Sequence, residues 1–305
     1  MASVTDPSAP LLLTTVAELR GAADRVRAEG LTVGLVPTMG ALHEGHLSLM
    51  RAAARRSDRV FTTIFVNPTQ FGPNEDLEKY PRQLPRDLEL CARAGAHAVF
   101  APSRSEMYPE GESTRVTVSG LTDHLCGAGR PGHFQGVATV VTKLFAAAGP
   151  CVAVFGKKDY QQLKVIERLA RDLLLPVQVI AAPIVRADDG LALSSRNAYL
   201  SGAERNQALA LSRGLSLAGR RYASGERSVA ALRALVLEQL EAASVRVEYA
   251  TIADPETLEP LNDSELLAGP TLLALAGFVG NTRLIDNLVL GRDPDPLATL
   301  PEGAK

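Results

Sequence analysis

The sequence predicts an α/β protein: a doubly wound, mainly parallel sheet followed by a second, smaller α+β C-terminal domain. Three observations carry that expectation. Short β-branched, apolar segments alternate with helix-period segments up to about residue 183. Near residue 186 the texture changes to a polar connection, two long helical stretches and two alternating segments. Hydrophobic residues make up 46% of the 305, enough for a sizeable core and, at roughly 150 residues per domain, for two domains.

Each element has a local reason. Residues 1–14, rich in Pro and Ser near the start, are expected to be disordered. Thr15 and Glu18 form a capping box for a helix that should stop at Gly30. "LTVGLVPT" reads as a buried strand with a Pro stop, "GHLSLMRAAARRS" as a helix, and "RVFTTIFV" as the next strand. The alternation continues through helix "RDLELCARAG", strand "AHAVFAP", helix "GVATVVTKLFAAAG", strand "CVAVFG", helix "KDYQQLKVIERLARDL" and strand "VQVIAAP". Right-handed βαβ crossovers make such a series Rossmann-like. "STRVTVSG" (113–120) reads as a hairpin outside the sheet. The expected domains are 1–186, a smaller 187–290 that closes as a lid over the first, and a loose tail 291–305.

Composition excludes several classes. The 32 basic and 34 acidic residues nearly cancel and are interspersed, leaving no broad basic surface for nucleic acid or anionic membrane. "RAAARRSDR" is the densest basic stretch and reads as a solvated helix face. Cys91, Cys126 and Cys151 show neither zinc spacing nor a disulfide framework, which suits reduced thiols in the cytoplasm. No segment approaches the ~20 apolar residues of a membrane span.

Four segments carry the chemistry. "TMGALHEGH" (38–46) follows a strand and opens a helix, the place where open α/β sheets bind ligands. Gly40 and Gly45 permit a sharp turn and close approach, and the helix start favours an anion. His43 and His46 add hydrogen-bond donors for a phosphate. A zinc reading is weaker, since "HEGH" spaces the histidines at i and i+3 rather than i and i+4. "FVNPTQF" delivers Asn67 and Gln70 to the same sheet edge, where neutral amides can bind hydroxyl and carboxylate. "FGKKDYQQL" offers Lys158 for phosphate, Asp159 for ribose, and Gln162 one turn further on. "LALSSRN" adds Ser194, Ser195 and Arg196. Together they point to a nucleotide site.

With "GRPGHFQGV" (129–137) and "GNTRLIDN" (280–287), these motifs in this order resemble those of the pantothenate synthetase (pantoate–β-alanine ligase) family, over about residues 15–290. The His-x-Gly-His-type loop alone would reach only a wider nucleotidyltransferase superfamily. The resemblance implies ATP-dependent condensation of (R)-pantoate with β-alanine through a pantoyl adenylate, releasing AMP and pyrophosphate. It implies MgATP as co-substrate with Mg²⁺ carried by the ATP, no tightly bound cofactor, and a homodimer. Carried over by position, Met39, Gly40, Ala41, Leu42, His43, Glu44, Gly45 and His46 line ATP, with His46 as proton donor and His43 and Lys158 as catalytic companions. Gly156, Lys157, Lys158, Asp159, Val185, Leu193, Ser194, Ser195 and Arg196 complete the ATP set. Gln70 and Gln162 contact pantoate, supported by Asn67 and His133, and Gln70 also serves β-alanine. Lys157 stands where many members carry Glu, and Leu193 where Met is common. His97 and His124 match no motif and read as structural or surface residues. "RVFTTIFVNP" reads equally as an interface strand or a buried one. The competing functions are a nucleotide transfer to a phosphorylated acceptor, for which the neutral Gln70 and Gln162 are the wrong residues, and a non-catalytic nucleotide-binding module.

Overall fold

The computed structural model describes residues 9–73 and 75–298. In chain order its elements are β1 (Leu11–Leu13), α1 (Val16–Ala28), β2 (Val33–Thr38), α2 (Glu44–Ala54), β3 (Arg59–Ile64), α3 (Leu84–Arg93), β4 (Ala98–Phe100), α4 (Arg104–Met107), α5 (Leu125–Gly129), α6 (His133–Ala148), β5 (Cys151–Gly156), α7 (Tyr160–Asp172), β6 (Val177–Ala182), α8 (Gly202–Ala223), α9 (Val229–Ala242), β7 (Arg246–Ala253), β8 (Thr271–Val279) and β9 (Thr282–Leu290). Two compact units divide them. Among the described residues, the first holds the chain up to 118, 130–157 and 162–183; the second holds 119–129, 158–161 and 184 onward. Where sequence suggests one cut near residue 186, two earlier segments thus pack with the second unit. Their reason is visible in Gln161, whose side-chain amide donates to the carbonyls of Leu121 (2.9 Å) and His124 (2.7 Å).

The first unit is a six-stranded parallel sheet in the order β1-β4-β3-β2-β5-β6. The chain builds outward from β2 to β3 and β4, then crosses to β5 and β6. The topological switch therefore lies between β2 and β5, beyond whose carboxyl ends such sheets bind ligands. Val36, Val60, Val99 and Val154 stand in the sheet and pack on Met50 and Ala53 of α2. The capping box of Thr15 and Glu18 starts α1 as expected.

Residues 11–13, expected within a disordered start, form edge strand β1 on β4, because Leu13 is buried there. The earlier part of that expectation, residues 1–8, lies outside the described residues. The hairpin expected at 113–120 does not form. The segment has no regular secondary structure, and the Val116 amide donates to Thr139 Oγ1 on α6 (3.0 Å). β3 is hydrogen-bonded on both sides, by β2 and β4, and its residues Val60–Thr63 are buried within this chain.

The second unit is a three-stranded antiparallel sheet, β7-β8-β9, with α8 and α9 packed on it through Leu215, Leu232, Val236, Leu273, Leu284 and Leu288. What reads as one alternating segment, residues 271–287, is a hairpin turning at Gly280, whose φ is +55°. The start of the expected loose tail is tied down: Asp295 accepts from Ser216 Oγ (2.5 Å) and Arg220 Nε (2.7 Å), and Leu297 is buried. Residues 299–305 lie outside the described residues.

Candidate active site

The loop after β2 is shaped by its backbone. Thr38 Oγ1 donates to the Thr63 carbonyl (2.6 Å) and accepts from the Gly40 amide (3.2 Å), ending the strand. Gly40 (φ +82°) and Ala41 (φ +50°) then lie in the left-handed region. A Cβ at Gly40 would stand 3.0 Å from both Asp87 Oδ2 and Ile64 Cγ2, so only glycine fits comfortably. Asp87 on α3, 1% exposed, holds the turn: its two oxygens accept the consecutive amides of Ala41 (3.0 Å) and Leu42 (2.9 Å).

This turn delivers His43 as the N-cap of α2 and His46 to its first turn. Their ring centroids are 4.1 Å apart, and the His43 amide donates to His46 Nδ1 (3.3 Å). With Nδ1 accepting, the neutral imidazole of His46 carries its proton on Nε2, which makes that nitrogen a donor. Glu44 pairs with Arg51 on the same helix.

The second cluster of the first unit surrounds Gln70. Asn67, 1% exposed, caps the turn Pro68–Gln70 and spends its amide inside the protein. Its Nδ2 donates to Gln70 Oε1 (3.0 Å) and the Gly136 carbonyl (3.1 Å), and its Oδ1 accepts from Tyr108 Oη (2.7 Å) and Thr69 Oγ1 (2.9 Å). Gln70 Nε2 meets only a weak acceptor in this network, Met39 Sδ at 3.3 Å, which sets the carboxamide beside the loop after β2. His133 Nδ1 lies 2.8 Å from the Gln70 carbonyl oxygen, which only a donor can approach, so its Nε2 accepts from Arg130 Nη1 (3.0 Å). Arg130 in turn forks onto Glu75 (2.7 and 2.5 Å). Burial would raise the Glu75 carboxyl, but the Arg130 guanidinium outweighs it and holds the carboxyl below its ordinary value. Gly136 lets α6 lie against the turn, since a Cβ there would be 2.4 Å from the Thr69 carbonyl oxygen.

In the second unit, Lys158 has a side chain 20% exposed, with Asp159 Oδ2 at 3.9 Å, a charge contact longer than a hydrogen bond. Val185 and Leu193 are paired across a tight hairpin (Leu193 N to Val185 O, 2.9 Å). Ser194 caps the short turn Ser195–Tyr199 by accepting the Arg196 amide at 3.3 Å. Gly156 ends β5 and Lys157 follows it in the first unit; Gln162 is half-buried in the first turn of α7.

Asp87, Glu75, Arg130, Tyr108 and Gly136 escaped the sequence reading. Only Arg130 and Gly136 carried a signal, their place in "GRPGHFQGV". His97 is structural: its Nδ1 accepts the Val60 amide (3.0 Å), and burial, then Arg59, lowers its pKa. Burial pushes the Cys91 and Cys151 thiols up to about 12, so neither is a nucleophile. Among the described residues no three His, Cys, Asp or Glu side chains are grouped to hold a metal ion, and no helix is long and apolar enough to cross a membrane.

Comparison with known proteins gives a consistent result. The sequence profile of the family described as pantoate-beta-alanine ligase matches residues 11–289. A pantothenate synthetase of Moorella thermoacetica is 56% identical over 92% of this chain and 98% of its own length, and one of Myxococcus xanthus 54% over 93% and 97%. The crystal structure of pantothenate synthetase from Thermus thermophilus is 50% identical, covers 92% of this chain and 99% of its own, and superposes with a TM-score of 0.86. A pantoate-beta-alanine ligase from Francisella tularensis, complexed with beta-gamma ATP and beta-alanine, is 31% identical over 94% of this chain and 100% of its own, with a TM-score of 0.76.

Proposed function

This chain belongs to the pantoate–β-alanine ligase family and condenses pantoate with β-alanine in an ATP-dependent reaction; we propose that it does so through a pantoyl adenylate, with the residues described above. A carboxylate oxygen of (R)-pantoate attacks the α-phosphorus of MgATP, forming a P–O bond as pyrophosphate leaves. The β-alanine amine then attacks the acyl carbon, the C–N bond forms, AMP leaves with the electrons of the broken C–O bond, and the amine proton passes to solvent. Neither step requires a protein nucleophile. What the protein supplies is positioning and hydrogen bonds to the charge that develops.

In this reading Met39–His46, Gly156–Asp159, Val185 and Leu193–Arg196 bind ATP, and Mg²⁺ arrives on its phosphates. His43, Lys158, Ser194, Ser195 and Arg196 meet the phosphates. His46 donates a hydrogen bond from Nε2–H to the departing pyrophosphate, which the tautomer read from the His43 amide supplies; as a proton donor it acts from the imidazolium form. Gln70 offers Nε2–H to pantoate in exchange for the weak Met39 contact, and later serves β-alanine; Gln162 is the second pantoate contact. Asn67 and His133 support the pantoate contact, their hydrogen bonds running to the Gln70 carboxamide and carbonyl. We read the protein as a cytoplasmic homodimer.

The observation that carries this assignment is the Gln70 carboxamide: neutral, 9% exposed and beside the nucleotide loop through Met39, it suits a hydroxy acid and not a second phosphate. The test is pyrophosphate exchange into ATP with Mg²⁺ and pantoate but no β-alanine. Exchange that needs pantoate, followed by AMP release when β-alanine is added, is the expected result. Product formation without any exchange would overturn the adenylate.

A further inference from the structure

The motif "GNTRLIDN" marks β9, yet none of its residues takes part in the chemistry above. On β9, Leu284 and Leu288 face the core of the second unit, and Asp286, two residues from each, shares their face. Asp286 is 2% exposed and makes a two-pronged pair with Arg186 (2.6 and 3.0 Å); Arg186 also donates to the Gly190 carbonyl (3.2 Å). Arg186 lies in the hairpin closed by its bridge to Ala192 and by the bonds of Ala187 N to Leu191 O and Leu193 N to Val185 O. That hairpin begins at Val185 and runs straight into Ser194, Ser195 and Arg196. The next residue, Asn287, is 4% exposed and donates from Nδ2 to the main-chain carbonyl of Lys158 at 2.8 Å. Asp286 Oδ1 also accepts the Asn287 amide (2.8 Å), coupling the two.

Packing alone does not call for these residues. A buried ion pair on an otherwise apolar face is commonly matched or bettered in stability by apolar side chains of similar size, because desolvation offsets the attraction. What the pair supplies is direction: a planar guanidinium held at two points fixes one hairpin geometry. We propose that β9 is the positioning strand of the nucleotide site in the second unit. Asp286, through Arg186, sets the hairpin that carries Val185 and Ser194–Arg196, and Asn287, through the Lys158 carbonyl, sets the backbone from which Lys158 reaches phosphate. This rests on the assignment of Lys158 and Ser194–Arg196 to ATP.

The experiment compares Arg186→Met/Asp286→Leu, Asn287→Ala and Lys158→Ala with the wild type, reading the KM for MgATP and for pantoate in pyrophosphate exchange alongside thermal stability. The double variant should melt no lower than the wild type yet show a KM for MgATP raised at least tenfold, with the KM for pantoate unchanged. Asn287→Ala should raise the same constant, and it decides the matter if the double variant fails to fold. Wild-type KM for MgATP in folded variants, with Lys158→Ala inactive, overturns the positioning role. An active Lys158→Ala with unchanged ATP use would instead overturn the underlying assignment.

Discussion

The two units hold their site residues by different means. In the first, the loop after β2 and the turn bearing Gln70 are fixed through backbone groups and neutral amides: Asp87 grips two successive main-chain amides, and His133 meets the Gln70 carbonyl. In the second, Arg186–Asp286 and Arg205–Asp189 pair charge with charge at the hairpin that leads into Ser194. The difference follows from what must be held. A loop leaving a parallel strand through two left-handed residues has an unusual backbone, and backbone is what the protein grips. Lys158 and Ser194 sit on short turns and a tight hairpin, and side chains from a neighbouring strand, Asp286 and Asn287, bond to those segments. Conformation is protected in one unit and direction in the other.

The largest effect is expected where conformation is protected. Asp87→Ala leaves the Ala41 and Leu42 amides without their acceptor, at about 1–3 kcal/mol each. With roughly 1.4 kcal/mol per tenfold, kcat/KM for ATP should fall on the order of 100-fold or more. Asp87→Asn, which keeps one carbonyl acceptor, should lie between. Steady-state kinetics checks this, and unchanged ATP kinetics in the alanine variant would remove the first half of the comparison.

A smaller, more local loss should follow Gly136→Ala. The new methyl group meets the Thr69 carbonyl at 2.4 Å and the Gln70 amide nitrogen at 2.7 Å, so the turn carrying Gln70 must shift. Overpacking of this kind costs about 1–3 kcal/mol. The KM for pantoate should rise about tenfold while that for ATP stays put. Gly202→Ala at the first position of α8, with nothing within 4 Å of its Cβ, is the control and should leave both constants alone. Equal effects of the two substitutions would show that the close approach at Gly136 does not set Gln70.

These examples also show what sequence discloses. The strands and helices of the sheet, the capping box at Thr15 and the His43–His46 loop are local patterns, legible because their causes lie within a few residues. Asp87 reads as one more charge on an amphipathic helix, and nothing near it reveals a loop 46 residues earlier. Asn287 and Lys158 meet across 129 residues. Gly136 is legible as part of a motif but not as a point of close approach. The edge strand at Leu11–Leu13 is too short for its alternation to register. Residues 113–120 alternate convincingly, but alternation cannot say whether a partner strand exists. Residues that carry chemistry sit in motifs, whereas residues that hold them are recruited by topology.

The smallest effect sharpens the comparison at an ion pair that the first unit places behind Gln70. Glu75 is held below its ordinary value of 4.5 because Arg130 outweighs burial. A carboxyl lowered on folding contributes stability that is complete above the unfolded value and is lost as pH falls through the folded one. Glu75→Gln should therefore be less stable than the wild type at pH 7. The gap should be within about 1 kcal/mol, since the pair is partly exposed. It should close as the pH falls below 4.5, which denaturation at a series of pH values would reveal. At neutral pH the same variant should weaken pantoate use slightly, because Arg130 also supports His133 behind Gln70. A gap that stays constant into acid would mean that the charge of Glu75 is irrelevant to the fold, and that Arg130 holds His133 and the Gln70 carbonyl without it.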